Sequence, residues 1–103
     1  MAEIIWTESA LIDLDEIAEY IALDKPTAAQ HLVQKVFSKV KRLAQFPDSG
    51  KKPAELTANT RYRELVVKPC LIFYRVQGEK VYIVYVMSSE RLLRRYMLSD
   101  RSI

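Results

Sequence analysis

The 103-residue sequence has few of the residues that build metal sites, disulfide frameworks and flexible linkers. Its one cysteine, Cys70, excludes an internal disulfide framework and fits a reducing compartment. Its one histidine, His31, lies off the apolar stripe of its predicted helix and argues against a zinc site or a Ser-His-Asp set. We therefore predict no metal and no cofactor. Only six residues are Gly or Pro and half are hydrophobic, which indicates a compact fold rather than disorder.

Long hydrophobic runs are also missing. The longest, "VYIVYVM" from Val81 to Met87, is far shorter than the roughly 20 residues that span a bilayer. The first ten residues, "MAEIIWTESA", do not combine a basic region with an apolar segment as a signal peptide does. We expect a cytoplasmic protein with one domain over residues 1–103, since the length fits one core and not two.

Acidic and basic residues are segregated along the chain. Residues 1–24 hold seven acidic side chains and no Lys or Arg. The remainder holds all sixteen basic side chains against six acidic ones, so residues 25–103 carry about +10. This asymmetry favours an acidic partner, either nucleic acid or an acidic protein segment. The alternative is that the acidic first helix lies against the basic second one.

Apolar periodicity predicts a strand, two helices and then strands. "EIIWT" is a short strand, and Thr7 is placed to cap a helix with apolar residues at helical spacing, namely Leu11, Leu14, Ile17, Ala18 and Ile21. Pro26 suits the first turn of a second helix, which continues to the stop "FPDSG". The pair reads as a helical hairpin. We predict an α+β fold: N-terminal strand, two-helix hairpin, three-stranded antiparallel meander and short C-terminal helix.

The meander consists of "RYRELVV", "LIFYRV" and "KVYIVYVM", rich in β-branched and aromatic residues. The turn "QGEK" leaves Gly78 free to adopt a positive φ. This turn predicts three cross-strand pairs: Arg75 with Tyr82, Phe73 with Val84, and Tyr74 with Ile83. If Val67 lies opposite Leu71, Arg63 lies opposite Arg75, and both share one end of a sheet face with Tyr82. Opposed arginines call for a bound anion or carboxylate, unless a one-residue slip separates them.

Both faces of these strands are apolar, and the helical hairpin can cover only one of them. The other needs the C-terminal segment or a partner, because large exposed apolar patches usually mark interaction sites.

Four stretches carry a family resemblance: "WTESALIDLDEIAEYI", "LAQFPDSGK", "YRELVV" and "LIFYRVQGEKVYIVYV". In their order and spacing the chain resembles the RelE/ParE superfamily of type II toxin–antitoxin toxins over nearly its full length. The resemblance implies a curved antiparallel sheet with both helices on one face, and a cognate antitoxin as partner. RelE-like members are ribosome-dependent, metal-independent ribonucleases that use Lys, Arg and Tyr side chains. ParE-like members poison DNA gyrase by binding and need no catalytic residues.

The segment "SSERLLRRY", Ser88 to Tyr96, bears on the choice between the two branches. RelE-like nucleases have a basic pair directly after the last strand, where this chain has Ser88 and Ser89. Serine cannot supply the positive charge that a phosphoryl-transfer transition state requires. We therefore favour the ParE-like branch, a non-enzymatic gyrase inhibitor, in which the segment forms a basic, partly apolar docking arm.

The predicted partner-binding residues follow from this choice: Arg63, Arg75, Tyr82, Arg91, Arg94, Arg95 and Tyr96. The alternative is a ribosome-dependent endoribonuclease, for which the catalytic residues would be Arg63, Arg91, Arg95 and Tyr96. A third possibility is a non-toxic module that keeps the fold and only binds an antitoxin. In every case the protein is expected to form a hetero-oligomer with that antitoxin.

Overall fold

The computed structural model describes residues 1–51 and 61–88. In chain order the elements are β1 (Glu3–Trp6), α1 (Glu8–Ala22), α2 (Pro26–Lys41), a 3-10 helix (Arg42–Ala44), β2 (Tyr62–Val67), β3 (Cys70–Gln77) and β4 (Lys80–Ser88). This order confirms the predicted α+β fold through the end of the meander. The predicted C-terminal helix lies outside the described residues. Within those residues no helix is long and apolar enough to cross a membrane.

One four-stranded sheet has the order β1-β4-β3-β2. Strands β2, β3 and β4 form the predicted antiparallel meander. β1 joins the sheet parallel to β4, with Glu3 opposite Lys80 and Trp6 opposite Ile83. The chain can make this parallel contact because the α1–α2 hairpin lies between the two strands, and a parallel pair needs a long crossover.

Thr7 joins the end of β1 to the start of α1. Its Oγ1 accepts a hydrogen bond from the backbone N–H of Ala10 at 3.2 Å, which confirms the predicted N-cap. The same hydroxyl donates to the carbonyl oxygen of Ile83 in β4 at 2.8 Å. Further along α1, a carboxylate oxygen of Asp13 accepts from the backbone N–H of Val86 at 3.2 Å. Helix α1 is therefore fixed to β4 by polar contacts as well as by packing.

Both helices pack on one face of the sheet. The core there combines α1 residues Ala10 and Leu14 with a stripe on α2, namely Leu32, Val36 and Val40, and with sheet residues that include Ile72, Tyr74 and Ile83. The start of α2 at Pro26 agrees with the prediction, and His31, predicted to lie off the apolar stripe of this helix, is exposed. On α1 the prediction was wrong for Leu11, which is 42% exposed while Ala10 is fully buried.

The other face of the sheet carries a second apolar cluster of Phe73, Val84, Tyr85 and Met87, each at most 5% exposed. The centre of this face is therefore not an open apolar patch. The C-terminal segment, which we predicted as one possible cover, lies outside the described residues.

The strand registers are right at the β3–β4 turn and wrong elsewhere. Gly78 has φ 61°, and Arg75 pairs with Tyr82 and Tyr74 with Ile83, as predicted. An irregularity between Phe73 and Tyr74 then shifts the register, so Phe73 pairs with Tyr85 rather than Val84.

The β2–β3 register also differs from the prediction by one residue. The connection is Lys68–Pro69 alone, and Val67 pairs with Cys70 instead of Leu71. Arg63 consequently lies opposite Tyr74, and Tyr62 takes the place opposite Arg75. Because a one-residue slip moves every side chain to the other face, Arg63 and Arg75 lie on opposite faces of the sheet.

Candidate partner-binding surface

Arg63 is bound to the loop that follows the helices. Its Nη1 donates to the carbonyl oxygen of Gly50 at 2.8 Å and to that of Asp48 at 3.3 Å. Its Nε lies 3.7 Å from a carboxylate oxygen of Asp48, whose side chain is 78% exposed. Through Nη1 the guanidinium therefore satisfies two carbonyl groups of the "FPDSG" loop, which engages two of its five N–H donors.

Tyr74 holds the same loop from beneath. Its hydroxyl accepts from the backbone N–H of Gly50 and donates to the carbonyl oxygen of Pro47, both at 2.8 Å. The pKa of this phenol is raised, mainly because the group is buried. The hydrogen bond from Gly50 and the charge of Arg63 lower it by less than burial raises it. We call the contacts of Arg63 and Tyr74 with residues 47–50 the loop clamp.

Gly50 is required by the geometry of the loop clamp. A Cβ at this position would lie 2.5 Å from the Tyr74 hydroxyl oxygen and 2.7 Å from the carbonyl oxygen of Glu64. The next residue, Lys51, exchanges two backbone hydrogen bonds with Glu64, which adds a one-residue bridge to the edge of β2. The "FPDSG" stretch thus ends the helical region and fixes the loop against the sheet.

On the face opposite the helices, Arg75 lies between two tyrosines. Tyr62, Arg75 and Tyr82 are neighbours across β2, β3 and β4, and all three are partly exposed. The Arg75 guanidinium carbon lies 5.9 Å from the centre of the Tyr82 ring, and Nη2 donates to Gln77 at 3.2 Å. This Tyr-Arg-Tyr row brings together two of the predicted residues, Arg75 and Tyr82, and adds Tyr62, which sequence reasoning missed because of the register error.

A groove runs between α1 and α2. It has a volume of about 460 Å³ and an almost entirely apolar wall, lined by Ala18, Glu19, Ala22, Pro26, Ala29, Gln30, Val33 and Gln34. Small side chains leave this space because three of the lining positions are alanine. Sequence reasoning placed Ala18 among the apolar residues of the first helix and did not identify a groove, although Ala18 and Ala22 at i and i+4 were a usable signal.

Large apolar side chains are exposed along α1 and just after its end. Ile12 is 50% exposed, Tyr20 77% and Leu23, which follows the end of α1, 86%. They alternate with exposed carboxylates, Asp15, Glu16 and Glu19. The outer surface of α1 is therefore both apolar and acidic. Such a mixture suits a protein segment with its own apolar anchors rather than a nucleic acid.

Four of the predicted site residues, Arg91, Arg94, Arg95 and Tyr96, lie outside the described residues, so their position relative to the groove or the Tyr-Arg-Tyr row is not part of this structure. Of the remaining three, Arg63 is in the loop clamp, and Arg75 and Tyr82 are on the other face. The structure thus separates residues that the predicted register had brought together.

Comparisons with known proteins agree with the fold and with the length of the chain. A family model described as "ParE toxin of type II toxin-antitoxin system, parDE" matches residues 4–93. The chain belongs to the ParE toxin family. It is therefore the toxin component of a type II toxin–antitoxin system, and family membership implies a cognate antitoxin.

Two curated relatives are also named as toxins. The chain is 37% identical over 93 residues to "Toxin RelE2" of Caulobacter vibrioides, covering 89% of this chain and all of the relative. It is 39% identical over 88 residues to "Putative toxin Y4kP" of Sinorhizobium fredii, covering 84% of this chain and 86% of the relative.

Two solved structures resemble this chain. One is described as "Chromosomal ParDE TA system from P. aeruginosa" and aligns with a TM-score of 0.72 at 26% identity, over 85% of this chain and 96% of that one. The other, the protein HP0894 from Helicobacter pylori, aligns with a TM-score of 0.55 at 19% identity, over 90% of this chain and all of that one. The second likeness concerns the fold alone.

Proposed function

We propose that this ParE-family toxin acts by binding DNA gyrase and stopping its supercoiling activity, rather than by cutting RNA. Two features support this over a nuclease. Ser88 ends β4 and Ser89 follows it in sequence, where the nuclease branch has a basic pair. Arg63 is one of the basic residues that a nuclease would need for catalysis. Its hydrogen bonds go to carbonyl groups of the "FPDSG" loop. The second feature carries the proposal, because a guanidinium held by the loop clamp is poorly placed to neutralise a phosphoryl group.

The runner-up is a ribosome-dependent endoribonuclease built on Arg63, Arg91, Arg95 and Tyr96. The name of the relative "Toxin RelE2" favours it, since that name belongs to the nuclease branch. A double substitution of Arg63→Ala and Arg95→Ala separates the two functions. A nuclease would lose mRNA cleavage, whereas a gyrase inhibitor that uses neither side chain for chemistry would produce no cleavage before or after the change.

We also propose that the antitoxin binds across the groove between α1 and α2. An amphipathic helix can place apolar side chains in this groove, whose alanines permit close approach, and can contact exposed Tyr20 and Leu23 at its edge. An acidic portion of the same partner would reach the Tyr-Arg-Tyr row around Arg75. We retain Arg75 and Tyr82 as partner-binding residues on this basis, with Arg91, Arg94, Arg95 and Tyr96 as sequence-based candidates.

The gyrase proposal is tested by a DNA supercoiling assay with purified gyrase and the antitoxin-free protein. We expect supercoiling to be lost at low protein-to-gyrase ratios. A parallel reaction with translating ribosomes should leave mRNA intact. Undiminished supercoiling together with ribosome-dependent mRNA cleavage by the same folded preparation would reject the proposal in favour of the nuclease.

A further inference from the structure

The side of α2 that faces away from α1 carries a stripe of basic residues. The stripe consists of His31, Lys35 and Lys39 on α2 and of Arg42, which caps the end of α2; their spacings are four, four and three residues, and all four are exposed. Residues at these spacings lie above one another on a helix. The eleven steps from His31 to Arg42, at a rise of 1.5 Å each, give the stripe a length of about 16 Å. We call these four residues the α2 basic stripe.

The α2 basic stripe has no acidic neighbour in sequence, and within residues 1–51 and 61–88 its side chains form no hydrogen bond or ion pair. No Asp or Glu occurs from Lys25 to Pro47. The one ion pair seen among the described residues joins Arg63 to Asp48. Two acidic residues of α1 lie elsewhere, because Glu19 borders the groove and Asp13 accepts a hydrogen bond from the backbone of β4. Like charges at i and i+4 repel one another, so an external anion would relieve this repulsion.

In the described part of the chain the α2 basic stripe has a single exposed apolar neighbour, Phe46, which is 56% exposed and follows Arg42 by one turn. The exposed apolar residues of the hairpin itself are on α1, at its end or, for Phe37, against Trp6 at a ring distance of 4.9 Å. A protein segment needs such anchors for affinity and would find them at the α1–α2 groove instead. A nucleic acid backbone needs only a row of cations, since its phosphates form a regular line of negative charge.

We propose that the α2 basic stripe binds the phosphate backbone of nucleic acid, without reading sequence. Lys35, Lys39 and Arg42 make the phosphate contacts, and His31 extends the row toward the N-terminal end of α2. The stripe is separate from the α1–α2 groove, so the protein can contact nucleic acid on one side of the hairpin and its antitoxin on the other. The proposal goes beyond gyrase inhibition and does not depend on it.

The magnitude follows from counterion release. Each phosphate contact on duplex DNA contributes about 0.9 to the slope of log affinity against log salt concentration. Three contacts therefore give a slope of about 2.7, and affinity falls about 40-fold between 50 and 200 mM salt. Removing Lys35 and Lys39 should make the slope shallower by about 1.8. This difference between variants is the quantity to measure, because contacts made by other basic residues cancel in it.

The test is fluorescence anisotropy of a labelled duplex of mixed sequence titrated with the full-length, antitoxin-free protein at several salt concentrations. The variant is Lys35→Ala with Lys39→Ala. The matched control is Lys41→Ala with Lys80→Ala, which removes two exposed lysines outside the stripe and changes the net charge equally. We expect the salt slope of the stripe variant to be shallower by about 1.8, and that of the control to change by less than half as much. Lys35→Arg with Lys39→Arg keeps both charges and should bind as the natural protein does.

Three outcomes would overturn the proposal. The first is that the folded protein does not bind the duplex at 50 mM salt. The second is that the control variant weakens binding as much as the stripe variant does, which would reduce the effect to net charge. The third is that polyglutamate of equal charge competes as well as duplex DNA. Single-stranded RNA in a parallel titration identifies the source of the backbone, with a slope of about 0.7 per contact instead of 0.9. No gyrase is present, so failure here leaves the gyrase proposal untouched.

Discussion

Replacing Gly50 with alanine should destabilise the protein strongly, although it only replaces one hydrogen atom with a methyl group. The added Cβ would lie 2.5 Å from the Tyr74 hydroxyl oxygen, 2.7 Å from Tyr74 Cε1 and 2.7 Å from the backbone carbonyl oxygen of Glu64. These contacts can be relieved only if the loop or β2 moves, because Glu64 is paired with β3 in the sheet and Tyr74 is fully buried. Overpacking of this kind costs about 1–3 kcal/mol.

A second cost comes from the hydrogen bonds of the loop clamp. If the loop moves, the Tyr74 hydroxyl loses the Gly50 N–H and the Pro47 carbonyl oxygen, both now at 2.8 Å. Each buried hydrogen bond contributes about 1 kcal/mol. We expect Gly50→Ala to lower the free energy of unfolding by about 2–4 kcal/mol, a large share of the 5–15 kcal/mol of an ordinary domain.

The measurement is urea denaturation followed by circular dichroism, with Ser49→Ala as the control because Ser49 is exposed and adjacent. A double-mutant cycle sharpens it. Tyr74→Phe removes the oxygen nearest to the new Cβ, so Gly50→Ala should cost less in that background than in the natural one. Equal costs in both backgrounds, or a cost below about 0.5 kcal/mol in the natural one, would refute the clamp reasoning.

Three further predictions follow from the same structure. Arg63→Ala should lower the free energy of unfolding by about 1–2 kcal/mol through loss of its carbonyl contacts, whereas Asp48→Ala should cost under about 0.5 kcal/mol in the same denaturation assay, because that ion pair is largely exposed. Burial raises the pKa of Tyr74 above its ordinary value of 10.0. Its contribution to the free energy of unfolding is therefore complete below pH 10 and is lost as the pH rises through the pKa of the folded state. The free energy of unfolding should fall more steeply at alkaline pH in the natural protein than in Tyr74→Phe. Ala22→Arg should fill the α1–α2 groove and weaken antitoxin binding at least tenfold by calorimetry, while exposed Gln45→Arg should leave it unchanged.

Local signals predicted the helices because helix ends depend on neighbouring residues. Thr7 and Pro26 have roles set by backbone groups within a few positions, and both were identified correctly. Gly78 likewise fixed the β3–β4 turn and the pairing next to it. The parallel contact of β1 with β4 was not predictable in this way, since it joins residues almost eighty positions apart through the packing of the hairpin.

The candidate site was predicted less well because it depends on register. The β2–β3 connection at Lys68–Pro69 is one residue shorter than predicted. Arg63 therefore lies in the loop clamp instead of on the same sheet face as Arg75, and Tyr62 lies beside Arg75. Pattern reasoning could not detect this shift, because both faces of β2 and β3 are apolar and alternation does not select a register. The α1–α2 groove was missed for a different reason: it arises from two helices together and not from either one.

Gyrase inhibition by this ParE-family toxin, as proposed above, should be reversed by its antitoxin. The decisive measurement is recovery of supercoiling: gyrase is first inhibited with the antitoxin-free protein, and purified cognate antitoxin is then titrated in. We expect full supercoiling to return near equimolar antitoxin. Gyrase that is never inhibited by folded toxin, while the antitoxin instead suppresses mRNA cleavage on ribosomes, would contradict the proposal.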